Sequence, residues 1–128
     1  MTFSGKFSLL LAFSWLAAIT VLLVLPGSAF PSENWMSRIQ LDKWVHIFLF
    51  ALLVTLWVKA LWKIYPSRFS FQALAIGTGL LALVYGISME FVQHYFVENR
   101  SFELNDIFAD LAGSMIGYLL VTRKAIKK

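Results

Sequence analysis

The sequence contains no cysteine and few charged residues. Only 14% of its 128 residues are charged, whereas 59% are hydrophobic. Without cysteine the chain has no disulfide framework, and no thiolate can act as a metal ligand or a nucleophile. The few charged residues cannot supply the polar surface that a soluble domain of this size needs. This composition is typical of an integral membrane protein, whose outer faces lie in lipid.

Common catalytic and cofactor motifs are also missing. The sequence has no glycine-rich phosphate loop, no HExxH zinc motif and no nucleophile elbow. We therefore predict no cofactor and no metal site. The net charge of +4 does not indicate a nucleic-acid partner, because the basic residues lie at the ends of apolar runs. That distribution is typical of membrane topology.

Four apolar runs are long enough, or nearly so, to cross a hydrocarbon layer of ~30 Å. They cover about residues 7–25, 44–62, 71–95 and 106–122. Since the connections are short, neighbouring helices are expected to be antiparallel. The sequence thus predicts one all-α membrane domain over residues 1–128, a polytopic protein with an antiparallel bundle of four transmembrane helices.

Two alternatives concern the first third of the chain. Lys6, the apolar stretch and "PGSAF" could form a cleaved signal peptide, but the stretch is longer than the usual apolar region of such peptides. We therefore interpret it as a span. Trp35, Met36 and Ile39 recur at helical spacing, which predicts either a short helix on the membrane surface or an irregular loop.

The basic residues are distributed unevenly between the two sides. Three of them fall on one side, namely Arg38, Lys43 and Arg100, and eight on the other, namely Lys6, Lys59, Lys63, Arg68, Arg123, Lys124, Lys127 and Lys128. The positive-inside rule predicts a multi-pass protein of the bacterial inner (cytoplasmic) membrane with both termini in the cytoplasm. All seven acidic residues lie on the opposite, outer side or at span ends that open toward it.

Polar residues recur with small residues at helical spacing, which places them on faces that pack against other helices. The third span carries Ala75, Gly79, Ala82, Gly86, Glu90 and Gln93 on one face, and the fourth carries Asp106, Asp110, Gly113 and Gly117. A charge that faced lipid would cost about 2.5–3.5 kcal/mol. We therefore predict a polar pocket that opens to the outer side. Its expected binding residues are Asp42, Lys43, His46, Glu90, Gln93, Arg100, Asp106 and Asp110.

Structural roles are alternatives for several of these groups. Glu90 could be a carboxylate that fixes helix register by pairing with Lys43, His46 or Arg100. Asp42 and Asp106 begin helices and could be caps that interact with the helix dipole. Glu98 and Glu103 are interpreted as solvated loop charges.

Three segments together resemble the VanZ-like family of small bacterial membrane proteins: "DKWVHIFLF" at 42–50, "EFVQHYFVENRSFELND" at 90–106 and "DIFADLAGSMIG" at 106–117. They reproduce its order of D-K-x-x-H, E-x-x-Q, then R and D before a span with glycines four apart. The resemblance covers about residues 42–118. It implies four spans and an association with low-level resistance to the glycopeptide teicoplanin. Asp110 stands where the family often has asparagine, so it either adds a charge or is protonated in an apolar site.

Two functions follow for this pocket. The favoured one is binding of a lipid, a lipid-linked cell-wall precursor or a lipopeptide headgroup, with Lys43 and Arg100 contacting its anionic groups. The alternative is an enzyme of headgroup modification, with Glu90 or Asp106 as general base and His46 as acid–base partner. We favour binding because no activated nucleophile is visible. Transport ranks third, since it would require a homo-oligomer and no inverted repeat is evident.

Overall fold

The computed structural model describes residues 2–29 and 40–126. The helices in these ranges are α1 (Phe3–Val24), a 3-10 turn (Gly27–Ala29), α2 (Leu41–Ile64), α3 (Phe71–Phe96) and α4 (Leu104–Ile126), and the same ranges contain no strand. Each of the four α-helices is long and apolar enough to cross a membrane. The predicted all-α membrane bundle is confirmed. The segment that carries Trp35, Met36 and Ile39 lies outside the described residues.

Side-chain caps begin two of the helices. The Thr2 hydroxyl accepts a hydrogen bond from the Gly5 amide, and the Ser70 hydroxyl accepts one from the Ala73 amide, both at 3.1 Å. Each cap satisfies an amide that has no partner within its own helix. α2 and α4 extend beyond the predicted spans at both ends, because the helical hydrogen bonds continue past the apolar run. Asp42 and Asp106 therefore lie inside the first turns of their helices.

Contacts at the two ends of the bundle establish its antiparallel arrangement. The Lys63 ammonium at the end of α2 donates to the Ser4 and Ser8 hydroxyls at the start of α1. Gln72 at the start of α3 likewise donates to Tyr118 near the end of α4. We call this the basic end, with Lys6, Lys59, Lys63, Arg68, Arg123 and Lys124. The opposite, acidic end carries Asp42, Glu90, Glu98, Glu103, Asp106 and Asp110.

The closest helix packing joins α2 and α4. A Cβ atom on Gly117 would lie 2.6 Å from the Ala51 carbonyl oxygen, and one on Gly113 would overlap the Ile47 carbonyl. The two glycines let the backbones approach, as small residues do in membrane helices. Gly79 differs from the expectation for α3, because nothing lies within 4 Å of the position its Cβ would take. It makes no close helix contact.

Candidate functional site at the acidic end

Seven ionisable side chains converge at the acidic end, and we call them the acidic-end cluster. α2 supplies Asp42, Lys43 and His46, α3 supplies Glu90, and α4 with the residue before it supplies Glu103, Asp106 and Asp110. The α2–α4 approach at Gly113 lies one helical turn below Asp110. That close packing brings the α2 and α4 members within hydrogen-bonding distance.

The Lys43 ammonium lies among three carboxylates. It contacts Asp42 Oδ2 at 2.5 Å and Asp106 Oδ1 at 2.6 Å, and it also contacts the Glu103 carboxylate. An ammonium group has three donors, so these contacts use its full capacity. The contact with an external phosphate or carboxylate that the sequence predicted for Lys43 would therefore have to break one of them.

His46 joins α2 to the interior of α4. Its Nδ1 lies 2.7 Å from Asp110 Oδ1, and both side chains are buried. If Nδ1 donates to that carboxylate, Nε2 is the acceptor in the neutral ring. Nε2 lies 3.9 Å from Asp106 Oδ2, which is too far for a direct hydrogen bond. The imidazole is thus oriented by one carboxylate and turned toward a second.

Glu90 holds the loop that precedes α4. It is only 1% exposed, and its Oε2 accepts a hydrogen bond from the Glu103 amide at 3.1 Å. This bond goes to a backbone N–H and not to Lys43, His46 or Arg100, the basic partners considered from sequence. The interpretation of Glu103 as a solvated loop charge needs correction, because its carboxylate contacts Lys43 and its amide contacts Glu90.

Gly86 and Phe50 form the inner boundary of the cluster. A Cβ atom on Gly86 would lie 2.7 Å from Asp110 Oδ2 and 3.1 Å from the Phe50 ring. Phe50 is fully buried. The missing side chain at Gly86 therefore leaves the space that the Asp110 carboxyl fills, and the buried Phe50 ring lies against the same position.

Gln93 and Arg100 lie apart from the cluster, at the end of α1. Gln93 Nε2 donates to the Leu23 carbonyl at 2.8 Å. Arg100 donates to the Leu25 and Leu22 carbonyls at 3.2 and 3.4 Å. Carbonyls in the last turn of a helix lack hydrogen-bond donors within the helix, and the two side chains provide such donors. The structure thus brings together six of the eight predicted binding residues in the cluster. The other two, Gln93 and Arg100, donate to backbone carbonyls at the end of α1.

Glu103 is the cluster member that sequence reasoning missed. It stands directly before α4, where the positive end of the helix dipole stabilises an acidic side chain. That position is the sequence feature from which a structural role of Glu103 could have been predicted. Its contact with Lys43, 60 residues away in sequence, depends on the path of the loop.

Among the described residues, Asp42, Glu103 and Asp106 are acidic side chains close enough to hold a cation, with ligand atoms within 4.8 Å of one another. The Lys43 ammonium already lies between them. The three carboxylates therefore have a cation that the chain itself supplies, and the arrangement does not require a metal ion.

A comparison with protein families finds a match over nearly the whole chain. The family model described as VanZ/LLP1 matches residues 3–126. The chain belongs to the VanZ/LLP1 family. The match spans all four helices of this VanZ/LLP1 protein and so includes every member of the acidic-end cluster. No curated protein and no solved structure matches the chain.

Proposed function

We propose that this VanZ/LLP1 protein binds the polar headgroup of a lipid, a lipid-linked cell-wall precursor or a lipopeptide. The acidic-end cluster would be the binding site, on the periplasmic side of the bacterial inner membrane. Both termini would lie in the cytoplasm, which the concentration of Lys and Arg at the basic end supports.

The observation that carries this proposal is the excess of carboxyl groups in a largely buried cluster. Four carboxyl groups share one ammonium and one imidazole, and the fifth, that of Glu90, accepts only a backbone N–H among the described contacts. Ionisable groups buried within membrane helices are costly and commonly mark functional sites. Because Lys43 is fully engaged, the cluster favours a headgroup that donates hydrogen bonds, such as an amine or a hydroxyl, over a phosphate.

The exposure of the members suggests a direction of entry. The Asp42 and Glu103 side chains are 57% and 46% exposed, whereas Glu90 and Asp110 are 1% exposed. A donor headgroup would first meet the two exposed carboxylates. It would then compete with Lys43 for Asp106, which is buried.

A second candidate function is enzymatic modification of the same headgroup. It is favoured by the Asp110–His46 pair, which orients the imidazole with Nε2 toward Asp106. Such a pair can exchange a proton with a bound hydroxyl or amine. The chain supplies no cysteine, so a thiolate nucleophile is excluded.

Glu90→Gln separates the two functions. The amide oxygen of glutamine can still accept the Glu103 N–H, so the loop keeps its attachment while the carboxyl group is lost. We expect binding of phosphatidylethanolamine, measured by native mass spectrometry of the full chain, to weaken about tenfold. Glu98→Gln is the control, because Glu98 is exposed at the same end outside the cluster.

Intact binding with loss of a headgroup product would select the enzyme. Intact binding with no product formed by the wild type would refute the enzyme and would exclude Glu90 from the binding site. The association of the family with teicoplanin resistance adds a cellular measurement. Cells that express the wild type should tolerate more teicoplanin than cells that express Glu90→Gln.

The proposed orientation can be tested because the chain has no cysteine. Glu98→Cys should react with a membrane-impermeant maleimide in intact spheroplasts. Lys124→Cys should react only after lysis. The reverse pattern would place the acidic-end cluster in the cytoplasm and overturn the periplasmic site.

A further inference from the structure

A groove of about 290 Å³ lies between α1, α2 and α3, away from the acidic-end cluster. Leu16 of α1, Leu53 and Trp57 of α2, and Leu81 and Ala82 of α3 line it. Its volume is near the lower end of the ~300–1,000 Å³ typical of ligand sites. Leu81 is 71% exposed, so the groove opens on the outer surface of the bundle beside that residue.

The two hydroxyl groups of the lining have partners within the protein. The Thr78 hydroxyl donates to the Leu74 carbonyl at 2.8 Å. The Tyr85 hydroxyl lies 2.6 Å from the Thr20 hydroxyl, whose own hydrogen goes to the Leu16 carbonyl. Tyr85 is therefore the donor of that pair. With both hydroxyls satisfied, and apart from the Trp57 indole N–H, the groove presents hydrocarbon, which favours an apolar occupant.

The position of the groove limits what can fill it. Most of its lining residues come from the middle of three helices that are long enough to cross a membrane, and Leu61 lies about one turn before the end of α2. Leu53 is 12 residues beyond the start of α2, about 18 Å along the helix axis. At that depth a bilayer offers acyl chains and almost no water. A groove left empty would forfeit dispersion contacts along its walls.

We propose that this groove is a binding site for one hydrocarbon chain of a membrane lipid. A chain on a convex helix face touches the protein on one side only. A chain in the groove is contacted from α1, α2 and α3 at once, so it should exchange more slowly than the surrounding lipid. The site goes beyond the headgroup site, because none of its lining residues belongs to the acidic-end cluster.

Filling the groove tests the proposal. Ala82 is buried in the lining, and Ala82→Phe places a ring in the space of the chain. Native mass spectrometry would follow palmitoyl-oleoyl-phosphatidylglycerol retained by the full chain in mild detergent. We expect about tenfold less retained lipid than in the wild type. Val84→Phe is the control, because Val84 faces outward and does not line the groove.

Glu90→Gln is measured in parallel to separate the two sites. Retention that survives Glu90→Gln and falls in Ala82→Phe supports the groove. Retention that falls only in Glu90→Gln assigns the lipid to the acidic-end cluster and overturns the proposal. Equal retention in Ala82→Phe and the wild type would overturn it as well.

A second measurement does not depend on a folded variant. The wild type is placed in phosphatidylglycerol vesicles with a small fraction of lipid that carries a diazirine on its acyl chain. After photolysis, we expect several-fold more label on Leu81 than on Leu80, which is similarly exposed (60%) but lies outside the groove. Excess unlabelled lipid should remove the difference. Equal labelling of the two leucines would show ordinary boundary lipid and exclude a groove site.

Discussion

The two ends of the bundle use charge in opposite ways. At the basic end, Lys6, Lys59, Lys63, Arg68, Arg123 and Lys124 are all exposed, and within residues 2–29 and 40–126 Lys63 donates only to serine hydroxyls. At the acidic end, Glu90, Asp106 and Asp110 are buried and belong to a network that joins three helices. A charged side chain that stays in water keeps its hydration, so its placement at one end of the bundle costs little free energy. An ionisable group taken into the bundle needs a hydrogen-bond or ion-pair partner, and so it dictates side-chain geometry.

Lys43→Met should have the largest effect on this comparison. It removes the cation shared by Asp42, Glu103 and Asp106 and leaves three carboxyl groups together. Loss of one partner from a buried ion pair costs about 3–5 kcal/mol, and we expect about 3 kcal/mol here because two of the carboxylates are partly exposed. Unfolding in mixed micelles titrated with SDS, followed by circular dichroism, measures the free energy.

Lys63→Met is the matched control at the basic end. Its side chain is exposed and has no carboxylate partner among the contacts described above, so the expected change is below about 0.5 kcal/mol. Equal losses from the two variants would mean that the cluster contributes no more to stability than a surface lysine. That result would remove the distinction between the ends.

Gln93→Leu should have a smaller effect. The change removes the donor to the buried Leu23 carbonyl near the end of α1, and an unsatisfied buried acceptor costs about 1–3 kcal/mol. We expect a loss of about 1–2 kcal/mol in the same titration. Gln72→Leu removes an exposed hydrogen bond at the basic end and should cost little. A larger loss from Gln72→Leu would contradict the assignment of Gln93 as the partner of α1.

Ser114→Ala should have the smallest effect, with the opposite sign. Among the described residues, its hydroxyl is a buried side-chain group without a hydrogen-bond partner. Its removal should raise the unfolding free energy by about 1 kcal/mol. Thr122→Val serves as control, because Thr122 on the same helix already donates to the Tyr118 carbonyl. If Ser114→Ala destabilises the protein, an ordered water or a bound ligand uses that hydroxyl.

Helical periodicity was sufficient to predict much of the acidic-end cluster. Glu90 follows Gly86 and Ala82 at spacings of four, and Asp110 precedes Gly113 by three, so each carboxyl shares a face with residues that pack inward. The same argument was wrong at Gly79, which has open space beside it. Periodicity identifies the residues that share a helix face. It does not show which neighbouring helix contacts that face at a given position along the helix.

Loop-dependent contacts were outside the reach of sequence reasoning. Glu103 meets Lys43, and Arg100 meets the α1 carbonyls, only because the connection between α3 and α4 crosses the acidic end toward α1. The Gly27 amide donates to the Glu98 carbonyl at 3.1 Å and fixes that path. The groove could not be predicted from the sequence either. It results from the relative positions of three helices, and the apolar face of any one of them does not indicate it.

Local sequence was enough to define four apolar helices, their order along the chain and the sorting of acidic and basic residues between opposite ends. These features depend on the length of each apolar run and on the charges beside it, and neither requires knowledge of a neighbour. The tertiary structure alone decided that three carboxylates surround the Lys43 ammonium and that Gln93 and Arg100 donate to carbonyls of α1. It also decided that a groove opens at Leu81. Those outcomes depend on distances of a few ångströms between residues far apart in sequence, and helix packing sets such distances.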